Sequence, residues 1–354
     1  MRKDWEVKKL KEICNIKPPK KEAKDVLNGD KLVSFVPMDT LGIDKMYFTT
    51  NQKKTLNSVY SSYTYFKNND VLLAKITPCF ENGKLGIAKC LVNDIGFGSS
   101  EYVVYRPNKN LLSQYLYYFL NRPSFRKKGA SVMTGAVGHK RIPKDFYEDY
   151  KIPVAPLPEQ KQIVEILDKA FEAIDKAKAN IEKNIENAKE LFQSKLNEIF
   201  SQKGEGWEEK ILTDIITLKS GTTLSKSLEK SKGEIAYLKV ADMNIEGNEF
   251  EITTSTKFVS KEDIKEQDIL PVGTIIFPKR GGAIATNKKR ITAIPICVDL
   301  NTMGAISSKQ IYSEYLHFYF RSFDLMDIAN GTTIPQINNY SFASLKISIP
   351  NDKS

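Results

Sequence analysis

The side chains best placed to do chemistry in this 354-residue sequence are cations and amides gathered in short loops. Lys75 and Lys84 flank "ITPCFENG", and His139, Lys140 and Arg141 close the glycine-bordered stretch "TGAVGHKR". Further along come Lys279 and Arg280 in "PKRGG", the run Lys288, Lys289 and Arg290, and Gln336 with Asn338 in "GTTIPQIN". Lysine and arginine present donors to an anion, while Gln and Asn present a donor and an acceptor side by side. That chemistry is recognition rather than bond making.

The residue patterns of catalysis are missing from the sequence. Two histidines, His139 and His317, leave little room for acid–base pairs. "IKPPK" (16–20) has neither the polar residue before its prolines nor the aromatic after them that an amino-methyltransferase N-P-P-[FY] tetrad requires, and no P-D…(D/E)-x-K nuclease pattern is evident. In "KRGG" the lysine precedes the glycines, the reverse of a Walker phosphate loop. Cys14, Cys79, Cys90 and Cys297 form no C-x-x-C pair and lie far from both histidines, so neither a zinc site nor a disulfide framework is expected. No metal and no cofactor of the chain's own is expected.

The elements that must position the loops occur twice. "DWEVKKLKEICNIKPP" is echoed by "GWEEKILTDIITLKSG": Trp5, Glu6, Lys8, Leu10 and Ile13 match Trp207, Glu208, Lys210, Leu212 and Ile215 at a constant offset of 202. "NNDVLLAKITP" (68–78) parallels "PVGTIIFPKRG" (271–281), each an apolar strand delivering a lysine into a loop. "SQYLYYFL" (113–120) parallels "SEYLHFYF" (313–320), helices whose aromatic faces read as core. "GAVGHKRIPKDF" parallels "GTTIPQINNYSF", and "YKIPVAP" parallels "LKISIP". Collinear matches at an offset drifting between about 195 and 204 describe two diverged copies of one module. Short β-branched strands, a few helices and many Gly/Asn turns make each copy an α+β domain of about 150 residues. The domains are expected at 1–157 and 205–354.

Between them, at 158–204, "PLPEQKQIVEIL" opens a helix. Pro158 suits its first turn, Glu159 the positive end of its dipole, and helix formers continue until "KGEG". Its apolar residues alternate steps of four and three through Ile163, Leu167, Ala170, Ile174, Ala177 and Ile181. After a slip of one place they resume at Ile185, Ala188, Phe192, Leu196 and Ile199. Flanked by Lys and Glu, this narrow seam is a coiled-coil face that needs a partner helix.

The net charge of +10 and pI near 9.1 indicate an anionic partner without choosing between nucleic acid and membrane. The excess is local: residues 1–157 carry 27 Lys and Arg against 15 Asp and Glu, whereas 158–204 (8 against 9) and 205–354 (18 against 19) are nearly balanced. No run of about eighteen apolar residues exists, and "MRKDWEVKKL" is charged where a signal peptide would be apolar, so a cytoplasmic protein without membrane association is expected.

Two diverged α+β modules, each opening W-x-x-K-x-L-x-x-I, joined by a long helix that begins P-L-P-x-Q-x-x-I-V-x-x-L, resemble the specificity subunit of type I restriction-modification systems. The resemblance spans the whole chain. It implies that each module is a target-recognition domain reading one half of a bipartite site in double-stranded DNA. It also implies that the coiled-coil region sets the spacing and docks methyltransferase (M) subunits. Those partners would transfer methyl groups from S-adenosylmethionine to adenine, and a restriction/translocase (R) subunit would cleave using ATP, leaving this chain non-catalytic. On that reading the loop cations and amides named above are the DNA-binding residues, with Lys and Arg on phosphates and Arg, Lys, Asn and Gln on base edges. "FRKKG" (125–129) is either a further phosphate contact or a helix C-terminus satisfied by cations. In the family a second such helix follows the second module, whereas here "LKISIPNDKS" ends the sequence. Either the sequence is a truncated form, or the central seam finds its mate in another chain, self-association included. Two other readings fit the same residues: a recognition subunit of a type II-like complex whose partner combines modification and cleavage, and a coiled-coil scaffold that binds protein.

Overall fold

Trp5 and Trp207 each lead into a strand that pairs with the last strand of its own module. In the computed structural model, which describes residues 5–202, 205–331 and 333–350, β1 (Glu6–Lys9) runs antiparallel to a late strand, Lys151–Val154. In the same way Trp207–Ile211 pairs with Lys346–Pro350. The leucines that follow, Leu10 and Leu212, are fully buried, which gives the repeated W-x-x-K-x-L spacing its physical meaning. The chain divides into two units, Met1–Ala179 and Asn180–Ser354.

In the first unit the strands after β1 are β2 (Cys14–Ile16), β3 (Leu32–Val36), β4 (Tyr47–Phe48), β5 (Lys53–Thr55), β6 (Thr64–Lys67), β7 (Val71–Ala74), β8 (Leu85–Ala88), β9 (Ile95–Gly98), β10 (Tyr102–Pro107) and β11 (Lys151–Val154). A five-stranded sheet has the order β2-β10-β7-β8-β4, and a second sheet has the order β5-β3-β9-β6. "VLLA" is buried at every position because both faces of its sheet are covered. Val71 and Leu73 enter one cluster with Leu116 and Phe125. Leu72 and Ala74, one residue out of phase, enter another with Phe66 and Tyr102.

The second unit repeats this plan. Its strands are β12 (Trp207–Ile211), β13 (Ile216–Ser220), β14 (Ile235–Leu238), β15 (Glu251–Ile252), β16 (Phe258–Val259), β17 (Ile275–Pro278), β18 (Arg290–Thr292), β19 (Ile296–Val298), β20 (Thr302–Ser307) and β21 (Lys346–Pro350). The sheet order β13-β20-β17-β18-β15 matches that of the first unit strand for strand. The parallel pairing of β3 with β9 recurs as β14 with β19. The aromatic helices α1 (Ser113–Leu120) and α3 (Ser313–Ser322) supply core, with Leu116, Leu120, Leu316 and Phe320 buried.

Helix α2 (Leu157–Ser201) has 45 residues, about 67 Å at 1.5 Å per residue. The stop expected at Lys203 and Gly204 lies outside the described residues. The glutamine of "PLPEQ" explains how the helix is seated. Gln160 is fully buried; its Oε1 accepts from the Leu112 N–H (2.9 Å), and its Nε2 donates to Asn110 O (2.9 Å) and Ala155 O (2.7 Å). Nearby, Trp5 Nε1 donates to Glu159, Tyr118 OH donates to Asp168, and the Phe171 ring stacks on Tyr118 at 5.6 Å.

The seam departs from its expected form at both ends. Ile163 and Leu167 are half-buried in the first unit, and Leu196 is buried in the second. The residues that seat the helix are largely ones the seam left out. They include Gln160, Val164 and Phe171 in the first unit, and in the second Phe200 against Tyr315 and Tyr319 and Gln193 donating to Ser322 O. A stripe of four-and-three steps is broad enough for its ends to be shared with a residue's own domain. Between those ends Ala170, Ile174, Ala177, Ile181, Ile185 and Ala188 are exposed, as are Phe192 and Ile199.

Two stability predictions follow from buried polar groups. Gln160→Leu strands the Leu112 N–H and two carbonyls, and is expected to lower the unfolding free energy by roughly 2–4 kcal/mol, measured by urea denaturation. His317, 1% exposed, lies beside Lys289, Arg290 and Arg321, and burial pushes its pKa down to about 4 from 6.5. It stays neutral in the fold while the unfolded chain takes up a proton below pH 6.5. Stability therefore falls as pH falls from 6.5 to 4, by up to about 3 kcal/mol. His317→Phe should flatten that part of the curve.

Candidate nucleic-acid interface

The candidate residues collect at one end of each five-stranded sheet because the strands alternate in direction. Lys75 leaves the end of β7, and Lys84 enters β8 beside it, with Ala74 N–H donating to Lys84 O (3.1 Å). The glycine-bordered loop returns to the same end. Isolated bridges join Ile76 to Arg141 and Thr134 to Arg141, and Ile142 N–H donates to Lys75 O (3.0 Å) while Thr77 N–H donates to Lys140 O (2.9 Å). The second unit reproduces the arrangement with other side chains. Arg280 bridges to Gln336, Gln336 bridges to Asn330, and Ile337 N–H donates to Lys279 O (2.9 Å). Lys75 thus corresponds to Lys279, Lys84 to Lys288, and Arg141 to Gln336.

Within the first loop Gly135 takes φ +123°, and a Cβ there would meet His139 O at 3.1 Å, so glycine is what lets the loop fold over itself. The tip is open: Val137 is 93% exposed, and His139 and Lys140 are exposed as well. Arg141 is tied down. Its Nε and Nη2 grip the two oxygens of Glu101 at 2.9 and 2.8 Å, and its Nη1 donates to His139 O. Those hydrogen bonds hold the Glu101 carboxyl below the usual carboxylate range, with Lys75 and Lys17 adding to the effect. Lys75 Nζ donates to Ser100 O (3.0 Å), and burial together with the charge of Lys17 lowers its pKa. Lys84 Nζ donates to Met38 O (2.8 Å). Each of these lysines keeps further N–H donors available.

In the second unit Lys279 Nζ donates to Ser220 Oγ (2.9 Å), its pKa also lowered by burial, and Lys288 Nζ meets Asn244 Oδ1. Arg280 is exposed, Gln336 is half-buried at the bridge, and Asn338 Nδ2 donates to Tyr340 OH (3.1 Å). The run 288–290 does not act as a unit. Lys289 is 3% exposed and donates to Phe323 O, and burial drives its pKa down to about 8. Chain alternation turns it inward from Lys288, so it is withdrawn as a DNA contact. Arg290 spends its guanidinium on Asn248 O and Lys289 O. The sequence reading also missed Glu101, the clamp on Arg141, whose counterpart is Asn301: Lys75 N–H donates to Glu101 O and Lys279 N–H to Asn301 O. Alignment of "EYVVYRP" with "NTMGAIS" is the signal that reveals the pair.

Among the described residues no group of His, Cys, Asp and Glu could hold a metal ion, and no helix is long and apolar enough to cross a membrane. Residues 2–187 and 204–354 match a family model described as the type I restriction modification DNA specificity domain. This chain belongs to that family.

The type I specificity subunit EcoAI of Escherichia coli is 38% identical over 161 residues, which is 45% of this chain and 27% of that protein. The chain therefore matches about a quarter of the length of that relative. The putative type I restriction enzyme MjaX specificity subunit of Methanocaldococcus jannaschii is 25% identical over 383 aligned residues, 98% of this chain and 83% of that one. A solved structure described as the basis of complex assembly and conformational transition of the type I R-M system contains a chain with TM-score 0.79. It is 15% identical, over 99% of this chain and 87% of that chain, a likeness of fold.

In this specificity chain the two loop cations should separate by function. Lys140→Ala is expected to weaken binding to DNA that carries the first half-site more than binding to DNA that lacks it, without changing the melting temperature. Arg141→Ala, which frees Glu101, should lower the melting temperature as well, as read by scanning calorimetry.

Proposed function

We propose that this chain is the non-catalytic DNA-reading subunit of a type I restriction-modification complex, with residues 1–157 and 205–354 each reading one half of a split site in double-stranded DNA. The observation that carries this reading is the double construction of one basic sheet end. Each copy combines lysine-bearing strand ends with a glycine-bordered loop, inside a match to the specificity domain. Lysines at strand ends suit phosphates, and loops of different sequence suit different half-sites: Lys140 and Arg141 in the first, Arg280, Gln336 and Asn338 in the second.

Catalysis is assigned to partners. M subunits supply S-adenosylmethionine-dependent adenine methylation, and an R subunit supplies ATP-driven translocation and cleavage. Residues 158–204 connect the two readers along the chain, and the exposed apolar stripe from Ala170 to Ala188 is the docking face for partner helices, a second copy of this chain being one candidate. The chain itself holds no cofactor and works in the cytoplasm.

Co-expression with the methyltransferase encoded beside this gene, followed by genome-wide mapping of N6-methyladenine, tests the proposal. The expected result is a motif of two short specific halves around a fixed unspecified spacer, and loss of the complex when Ile174→Glu and Ile181→Glu are combined. A stable complex that methylates a continuous, unsplit motif would overturn the two-reader assignment.

A further inference from the structure

Most of the polar side chains gathered at the second unit's sheet end have already found partners within the fold. Lys279 donates to Ser220, Lys288 meets Asn244, Lys289 and Arg290 donate to backbone carbonyls, and Asn338 donates to Tyr340 OH. Asn330 donates to Ser341 Oγ, and Asn301, which stands where Glu101 stands in the first unit, donates to Asp299. Two side chains are left over. Among the described residues Arg280 and Gln336 enter no side-chain hydrogen bond and no ion pair, and no polar side-chain atom of the half-buried Gln336 is sealed from solvent.

The backbone places these two side chains next to each other. Arg280, with extended backbone (φ −144°, ψ 138°), faces Gln336 across an antiparallel bridge, with Ile337 N–H donating to Lys279 O (2.9 Å) and Gly281 N–H to Pro335 O (2.8 Å). Those hydrogen bonds flank the pair rather than joining it. That is the close type of antiparallel pairing, with Cα atoms about 4.5 Å apart and both side chains on the same side. Gln336 is held from its other edge as well, exchanging both backbone hydrogen bonds with Asn330 at 2.8 Å. The same ladder in the first unit sets Ile76 opposite Arg141, which exchanges backbone hydrogen bonds with Thr134 and is gripped by Glu101. The uncommitted pair is therefore a property of the second unit.

We infer that Arg280 and Gln336 act together as the base-reading pair of the second unit, Arg280 on a guanine and Gln336 on an adjacent adenine in the major groove. This rests on the DNA-reading assignment above and names two bases of one half-site. A guanidinium donates to guanine O6 and N7, and a glutamine amide donates to adenine N7 while accepting from its N6 amino group. Both contacts need a planar side chain whose donors are unspent, which is what these two residues retain. Side chains rooted about 4.5 Å apart suit neighbouring bases spaced about 3.4 Å apart. Lys279 and Lys288, point charges with further N–H donors, remain for phosphates.

Selection from a pool of randomised duplexes by the whole chain, with sequencing of the bound DNA, tests this. The wild type should enrich a motif that carries adjacent guanine and adenine. Arg280→Ala should lower the preference for that guanine roughly tenfold and leave the adenine, and Gln336→Ala should do the reverse. Both should keep the wild-type melting temperature, since neither side chain has a partner to lose. Gln336→Arg should turn the preferred adenine into guanine, a change that a merely structural residue does not produce. Loss of preference at every position together, or no change in these variants, overturns the inference alone, as does a wild-type motif without the adjacent pair. A wild type that enriches no sequence overturns the DNA-reading assignment and this inference with it.

Discussion

β10 and β20 each hold two neighbours by antiparallel ladders, and the register of those ladders brings four separate chain segments to one end of a sheet. Tyr102 opposite Ala74, and Thr302 opposite Pro278, determine where Lys75 and Lys279 emerge. A slip of one residue would exchange the two faces of every strand, burying side chains in the wrong cluster. Because Val71 and Leu73 pack on one side and Leu72 and Ala74 on the other, neither face tolerates the exchange. Placement of the basic sheet end is therefore enforced by core packing on both sides of the sheet.

On this common frame the two units solve the same loop closure with different electrostatics. In the first, Arg141 and Glu101 form a bidentate ion pair amid Lys17 and Lys75, in a unit with a large cationic excess. In the second, Gln336 and Asn301 occupy the equivalent positions with no charge, while backbone bonds to Lys279 hold the loop just as closely. The backbone bridges carry the geometry, which leaves the side chains free to diverge. A carboxylate among cations orients the arginine, and neutral amides leave donor and acceptor groups for another partner.

Helix α2 ties into both units by a different principle. At its start a single buried amide, Gln160, satisfies three backbone groups, which makes the proline-bracketed entry rigid. Near its end aromatic contacts take over, with Phe200 on Tyr315 and Tyr319, and the guanidinium of Arg321 4.4 Å from the Phe192 ring. The apolar middle of the helix, from Ile174 to Ile185, is left uncovered.

Much of the plan was legible in the sequence. Constant spacing between Trp5–Ile13 and Trp207–Ile215 revealed the duplication, because each copy must bury the same leucine and pair the same opening strand. The four-and-three pattern revealed the long helix, because a helical stripe depends only on local periodicity. The matched lysines at 75 and 279 were readable for the same reason, each ending an apolar strand. What required the tertiary structure were the facts set by pairing between distant segments. Lys289 lies in a run of cations yet turns inward, Arg141 meets a carboxylate forty residues away, and Lys279 donates to Ser220 fifty-nine positions back. Local sequence determines an element's period and faces, but which element lies beside it, and so which charges are spent and which remain available, is decided only when the strands pair and the core closes.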